Sequence, residues 1–282
     1  MKPSELLSIT GNELGKGTNI KVDIVETEVD LYNDIARVLY DAIADSAKTG
    51  KQPVFIIPVG PVGQYRRLAR LCNLSGLSCS DAVFINMDEY LDELGEKYIE
   101  YNNPLSFRRY MDEQFYNMLD EDKKVPQKNK IFPDPKNPKR VQEIIEEYGG
   151  VDICIGGVGI NGHIAFNEPP APELNLSSEE FSKLPTRVIE IDIRTKVINA
   201  ATSAKGNIDD FPNKAITVGM KEILSAKSIF IYMARDWHPT IARRWMHGPI
   251  TPQVPASMLQ NHKDVHCVIT PEVAQPAISE LK

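Results

Sequence analysis

Residues Val151 to Pro170 read VDICIGGVGINGHIAFNEPP, and this stretch decides the fold. Ile153-Cys154-Ile155 is a short apolar run rich in β-branched residues, which predicts a strand buried on both faces in a parallel sheet. Gly156, Gly157 and Gly159 follow at once. Without Cβ atoms they allow a sharp turn and a close approach of a ligand to the main chain. His163 and Glu168 come next, two ionisable groups just past the carboxyl end of a strand, where open α/β sheets bind their ligands. The alternative is a plain glycine-rich βα turn, with His163 bonded to a carbonyl and Glu168 in solvent. Glycines, a histidine and a glutamate gathered within thirteen residues favour a site. A dinucleotide fingerprint does not fit, because His163 stands where that motif needs the start of a phosphate-binding helix.

The chain around this stretch alternates strand and helix patterns. Residues 20–25, 53–57, 82–85, 188–193, 228–233 and 265–269 read as strands. Residues 29–47 place Leu31, Ile35, Val38, Leu39, Ala42 and Ile43 on one helical face. Further helices are predicted over 64–72, 103–117 (with Pro104 in the first turn), 141–148 and 240–247. Residues 59–63 form a turn between a strand and a helix, and residues 123–139 a charged, proline-bearing connection. Pro170 to Pro185 lacks apolar periodicity and reads as a mobile lid. Residues 1–19 read as a loose polar arm, and residues 20–282 as one α/β domain with a mostly parallel central sheet and helices on both faces.

Composition narrows the function. The 282 residues are 42% hydrophobic and 25% charged, which is ordinary for a globular protein with a large core. A net charge of −7 argues against nucleic acid as the main partner, and an anionic substrate would need a local basic or helix-dipole pocket. No run approaches the ~20 apolar residues of a membrane span, so no membrane association is expected. The four cysteines, Cys72, Cys79, Cys154 and Cys267, lack metal-type spacing and point to a reducing, cytoplasmic setting.

Three further stretches are informative beside Gly156–Pro169. Asn86-Met87-Asp88-Glu89-Tyr90 ends a strand in carboxylates. Ala215-Ile216-Thr217-Val218-Gly219 and Pro255-Ala256-Ser257-Met258-Leu259-Gln260-Asn261-His262 follow in order. Together with Gly156–Pro169 they resemble the motifs of the glucosamine-6-phosphate deaminase (isomerase) family, over roughly residues 20 to 270. The resemblance implies a modified Rossmann-like fold. It also implies a reaction in which glucosamine 6-phosphate is ring-opened, isomerised and deaminated to fructose 6-phosphate and ammonia, without metal or cofactor. Its partner would be a small-molecule sugar phosphate or related sugar, and a homo-oligomer is left open.

By the match, Asp88 is the base that moves a proton from C2 to C1, and His163 the ring-opening group. Chemistry agrees: one carboxylate on one face of the substrate suits the transfer, and histidine titrates near neutrality. Glu168 orients and charges His163, and Asn161 stands where the family usually has Asp. Asn161 still accepts a hydrogen bond but carries no charge and shuttles no proton, which implies altered tuning of His163, slower turnover or another substrate. Expected substrate contacts are Val59, Gly60, Pro61, Val62, Gly63, Glu89, Gly157, Gly159, Gly162, Arg194 and Lys214.

The phosphate side departs most. The turn at Val59–Val62 lacks the family's two hydroxyl residues, and Pro61 removes a backbone N–H. The family's phosphate arginine and lysine fall at Asn199 and Asn213. Arg66, Arg67, Arg194, Lys205 or Arg235 could compensate, or are solvated surface charges. Three alternatives therefore stand beside the deaminase: the same chemistry on a sugar with a non-phosphate tail, a 6-phosphogluconolactonase-like hydrolase, and a non-catalytic sugar-phosphate sensor. Asp88-Glu89-Tyr90 and Phe166-Asn167-Glu168-Pro169 favour the deaminase over the lactonase, and an intact Asp88, His163 and Glu168 set argues against a sensor.

Overall fold

The computed structural model describes residues 3–277. In chain order the strands are β1 (Ile20–Ile24), β2 (Val54–Ile57), β3 (Val83–Asn86), β4 (Asp88–Leu91), β5 (Lys130–Ile131), β6 (Ile153–Gly156), β7 (Arg187–Glu190), β8 (Lys214–Thr217), β9 (Ser228–Met233) and β10 (Val265–Ile269). The helices are α1 (Pro3–Leu7), α2 (Glu28–Thr49), α3 (Gln64–Ser75), α4 (Phe107–Gln114), α5 (Arg140–Glu147), α6 (Ser178–Ser182), α7 (Ile193–Ser203), α8 (Met220–Leu224), α9 (His238–His247) and α10 (Pro271–Ala274).

Seven parallel strands pair in the order β1-β10-β9-β6-β2-β3-β5. Alternating side chains of these strands feed two cores. Phe55, Ile57, Phe84 and Ile155 pack with Leu31, Ile35, Leu39 and Ile43 of α2 and with α3. Val54, Ile56, Val83, Ile85 and Cys154 pack on the other face with α5, α8 and α9, around the fully buried Trp245. The expected α/β architecture, mostly parallel with helices on both faces, is thus the one found. α2 starts at a capping box between Thr27 and Asp30 and stops at Gly50, whose φ of 69° is the left-handed conformation that suits glycine.

The structure departs from expectation in four places. β4, β8 and β7 form a second, antiparallel sheet of three strands. Asp88-Glu89-Tyr90 was read as the end of the preceding strand and Val188–Ile193 as a further strand, with no second sheet expected. The chain instead crosses between sheets at Met87, whose N–H donates to Ile57 O and whose carbonyl accepts from Val218 N–H. α4 begins at Phe107, later than expected, because Ser106 caps it and Asn103 holds Leu105 and Ser106 in a turn. The 170–185 segment is no lid over the site: α6 has its own capping box, Phe181 is buried in the core, and Lys221 N–H bonds Leu184 O.

The amino-terminal segment expected to be loose is tied down. Leu14 is buried, and Arg243 of α9 donates Nε–H to Ile9 O at 2.8 Å. The same fully buried guanidinium donates to Pro239 O, Val273 O and Ala274 O, so one side chain fastens both ends of the described chain to α9. Its charge is met by carbonyls at the end of α10, the negative end of that helix. Arg243→Leu strands these acceptors. It should lower unfolding stability by about 2–4 kcal/mol, measured by urea denaturation followed by tryptophan fluorescence; a loss too small to measure would show the latch to be dispensable.

Candidate active site

A cavity of about 500 Å³ opens at the carboxyl ends of β2, β3, β6 and β9, within the range of roughly 300–1,000 Å³ usual for small-molecule sites. It lies where the order of a parallel sheet predicts. The small sheet's neighbours close it from above: α7 contributes Thr195, Asn199 and Thr202, and the turn into α4 contributes Leu105, Ser106 and Phe107.

Asp88 stands at the crossing between the two sheets. It is 8% exposed, lines the cavity and accepts no hydrogen bond from the described residues. Burial, reinforced by the neighbouring Glu89 carboxylate, pushes its carboxyl up to about 8. Glu89 points the other way, as alternation along a strand requires. It accepts five hydrogen bonds, from Tyr90 N, Ser106 Oγ, Phe107 N, Arg108 N and Arg108 Nε. Four of these come from the first turn of α4 or its cap, so Glu89 anchors that helix's positive end and does not reach the cavity as expected of it.

His163 is seated by glycine. A Cβ on Gly159 would lie 2.0 Å from His163 Cε1, so only glycine lets the imidazole rest against that backbone. Gly162, at φ 91°, closes the same turn beside Val254 and outside the cavity wall. Every polar contact of the ring is at Nδ1: Asn161 Oδ1 at 2.7 Å, with Glu168 Oε2 and Thr195 Oγ1 both at 3.2 Å. Nε2 is left for a ligand. Asn161 Nδ2 donates to Glu168 Oε2 at 2.7 Å, which orients its amide with oxygen toward the imidazole and nitrogen toward the carboxylate. Burial pushes Glu168 up, but the His163 charge and the donors His163, Asn161 and Thr195 outweigh it and hold the carboxyl below its ordinary value. Glu168 Oε1 is buried with no protein partner.

Between His163 and Glu168 the backbone is held open at Ala165, whose φ of 54° is left-handed. Asn167, fully buried, secures this bend by donating Nδ2–H to Ile164 O and Val218 O while accepting from Arg187 Nη1. Phe166 N–H donates to Thr217 Oγ1. Behind the glycine turn, His238 accepts from Arg235 N–H at Nδ1 and donates Nε2–H to Val158 O at 3.1 Å. Burial pushes it down to about 3, so His238 is a neutral buttress of the turn.

The wall at the expected phosphate turn includes Val59, Gly60, Pro61 and Val62, and Gly157 lies opposite. Gly63 caps α3 at φ 133° without reaching the cavity. None of the cations expected on the substrate does so, except Arg235. Arg66 bonds Gln114 Oε1. Arg67 is spent on Asn33 Oδ1 and Gly63 O, at 2.9 and 2.7 Å. Arg194 closes on Asp192, and Lys214 lies over Leu94 O. Lys205, at φ 54°, is not on the wall either. No cluster of His, Cys, Asp or Glu among the described residues could hold a metal ion.

On the wall, Thr195, Thr202, Trp237 and His238 went unseen in the sequence, and Asn199 and Arg235 were considered only for the phosphate. Thr195, Asn199 and Thr202 share one polar face of α7 at helical spacing, a signal that was there to be read. Arg235, Trp237 and His238 follow β9 directly, and the carboxyl-end rule applied to β9 as well as β6 would have found them.

No protein-family model matches the sequence. Among curated proteins, glucosamine-6-phosphate deaminase of Clostridium perfringens is 30% identical over 253 residues, 86% of this chain and 96% of the relative. The enzyme of that name from Mycoplasma mycoides is 30% identical over 260 residues, 90% and 96% of the two chains. Glucosamine-6-phosphate deaminase 1 of Bacillus subtilis is 29% identical over 252 residues, 88% and 97%. A solved monomeric glucosamine-6-phosphate deaminase superposes with a TM-score of 0.76 at 29% identity, covering 90% of this chain and 98% of the other. The 6-phosphogluconolactonase of Trypanosoma brucei shares the fold, with a TM-score of 0.64 at 13% identity over 92% and 98%. With a cavity that joins Asp88 to the Asn161–His163–Glu168 cluster, and with whole-length relatives of one kind, the chain belongs to the glucosamine-6-phosphate deaminase family.

Proposed function

We propose that this chain is an amino-sugar deaminase/isomerase that carries out the reaction its relatives are named for, glucosamine 6-phosphate being the reference substrate. The observation that supports it most is Asp88, a carboxyl in the cavity without a protein partner and poised near neutral pH. A general base works best when its pKa lies near the working pH.

The roles are those the family resemblance implies, and the geometry is compatible with them. His163 Nε2 takes the proton of the anomeric hydroxyl and returns it to the ring oxygen, which opens the pyranose; its Nδ1–H is meanwhile held by Asn161 Oδ1. Asp88 removes the proton from C2 and delivers it to C1, while a proton passes from the amino group to O1, so the aldehyde of the open chain becomes CH₂OH and C2 becomes an imine. Water adds to that imine, and ammonia leaves with the ketose. Ring opening breaks the ring C–O bond, isomerisation moves protons, hydration of the imine forms a C–O bond and ammonia loss breaks the C–N bond, so the sum is redox-neutral. Glu168 supplies the charge that stabilises the imidazolium formed during ring opening. Asn161 takes part through its orientation alone, as an uncharged link between carboxylate and imidazole. Four buried thiols among the described residues suit the cytoplasmic setting inferred from the sequence.

Two measurements bear on Asp88. Ammonia release from glucosamine 6-phosphate and other amino sugars should be detected, and Asp88→Asn should lower kcat by about 10²–10⁴-fold with KM little changed; near-full activity in the variant would remove Asp88 from the mechanism. The same substitution reports on burial. Asp88 has a raised pKa when folded, so the unfolded chain loses its proton first, and the native state is penalised as pH rises from about 4 to about 8. Asp88→Asn should therefore be more stable than the parent at pH 8, by at least about 1 kcal/mol, and no more stable at pH 4. An equal difference at both values would show that folding does not raise the Asp88 pKa.

A further inference from the structure

We propose that Arg235 is the cation that receives the phosphate of the substrate, and that it does so by exchanging the Glu28 carboxylate for the phosphate. The inference rests on the deaminase reading above and assigns the residue that recognises the substrate's tail.

A phosphate dianion taken out of water needs converging donors and a cation, because an unpaired buried charge is costly. The turn after β2 supplies neutral donors. Gly60 N–H and Val62 N–H have no acceptor among the described residues, and a Cβ placed on Gly60 would meet nothing within 4 Å, so a ligand can reach this main chain. Ser203 of α7 adds a hydroxyl with no partner among the described residues. The Thr202 hydroxyl donates to Ile198 O and that of Ser106 to Glu89, so both protons are engaged. None of these groups carries charge. Of the Lys and Arg side chains among the described residues, Arg235 alone lies on the cavity wall.

Contacts through α2 place Arg235 next to that turn. Its Nη1 lies 3.7 Å from Glu28 Oε1, and the Tyr32 hydroxyl, one turn along α2, is directed at the same carboxylate. The Tyr32 ring rests against Gly63, where a Cβ would lie 2.8 Å from Cδ2. Glu28, like Arg235, lines the cavity.

The guanidinium can change partner while its backbone stays fixed. Arg235 N–H donates to His238 Nδ1 at 2.9 Å, and His238 Nε2–H is held on Val158 O. The side chain has one long contact, in which Arg235 is 43% and Glu28 41% exposed, and such pairs hold weakly. A phosphate offers the planar fork two parallel, charge-assisted hydrogen bonds where Glu28 gives one distant oxygen. With the phosphate paired, the Glu28 carboxylate is a like charge beside it.

The test measures ammonia release from glucosamine 6-phosphate by the full chain and by its Arg235→Ala, Arg235→Lys and Glu28→Gln variants. Calorimetry gives the Kd of the same sugar for each variant combined with Asp88→Asn. Arg235→Ala should raise KM and Kd by about 10–100-fold with kcat little changed. Arg235→Lys should lose less, because it keeps the charge without the fork. Glu28→Gln should bind the phosphate more tightly, because a like charge is removed. An unchanged KM in Arg235→Ala, or a fall in kcat in place of a rise in KM, would overturn the inference and leave the deaminase reading standing. Weaker binding in Glu28→Gln would overturn the exchange of partners. No ammonia from the parent chain would overturn the deaminase reading, and calorimetry then judges Arg235 by itself: a Kd raised in Arg235→Ala supports its role, while an unchanged Kd or no binding to the Asp88→Asn protein refutes it.

Discussion

The site depends on a contrast between two adjacent carboxyl groups. Asp88 and Glu89 follow one another across the junction of the two sheets, and the strand turns them to opposite sides. Glu89 is fully buried and saturated with donors, several from the opening turn of α4. Asp88 is nearly as buried and has none. A carboxylate with five hydrogen bonds is a structural anchor; one with none is held in reserve for a proton. The anchor also places α4's first turn on the cavity wall, so the two functions are built from the same dipeptide.

The second half of the site is organised around Asn161. An aspartate there would sit 2.7 Å from Glu168 Oε2, and two carboxylates that close cannot both stay ionised without cost. The amide resolves the conflict by donating to Glu168 while accepting from His163. It leaves the cluster with one carboxylate opposite one imidazole, a balance that neutralises when the ring is protonated. The change is therefore a reorganisation of charge around His163 and does not dismantle the cluster.

Much of the fold was legible because long apolar periodicities decide it. α2, β2, β6, β9 and β10 all have buried faces whose spacing can be counted. The second sheet was not legible. Asp88–Leu91 is buried along its whole length yet begins with two acids, and only its partners in β8 and the cap of α4 make that burial affordable. The segment after Pro169 misled for a related reason: low periodicity suggested mobility, while one residue, Phe181, is enough to root it in the core. In the site, Asp88, His163 and the turns at Val59–Val62 and Gly157–Gly159 were found on the cavity wall. Arg194, Lys214 and Glu89 were not, because a charge in sequence says nothing of which neighbour consumes it.

The account's central claim is that one carboxyl, Asp88, carries a proton from C2 to C1 within a cavity that shields it. Glucosamine deuterated at C2, free or phosphorylated according to which turns over faster, tests this most directly when the ketose product is analysed for deuterium at C1 after early turnover in ordinary water. Transfer of part of the label to C1 is the predicted result, because a buried carboxyl exchanges its proton with solvent more slowly than an exposed one. Product formed with no label at C1, while unreacted substrate keeps its label at C2, would contradict a single shielded carrier.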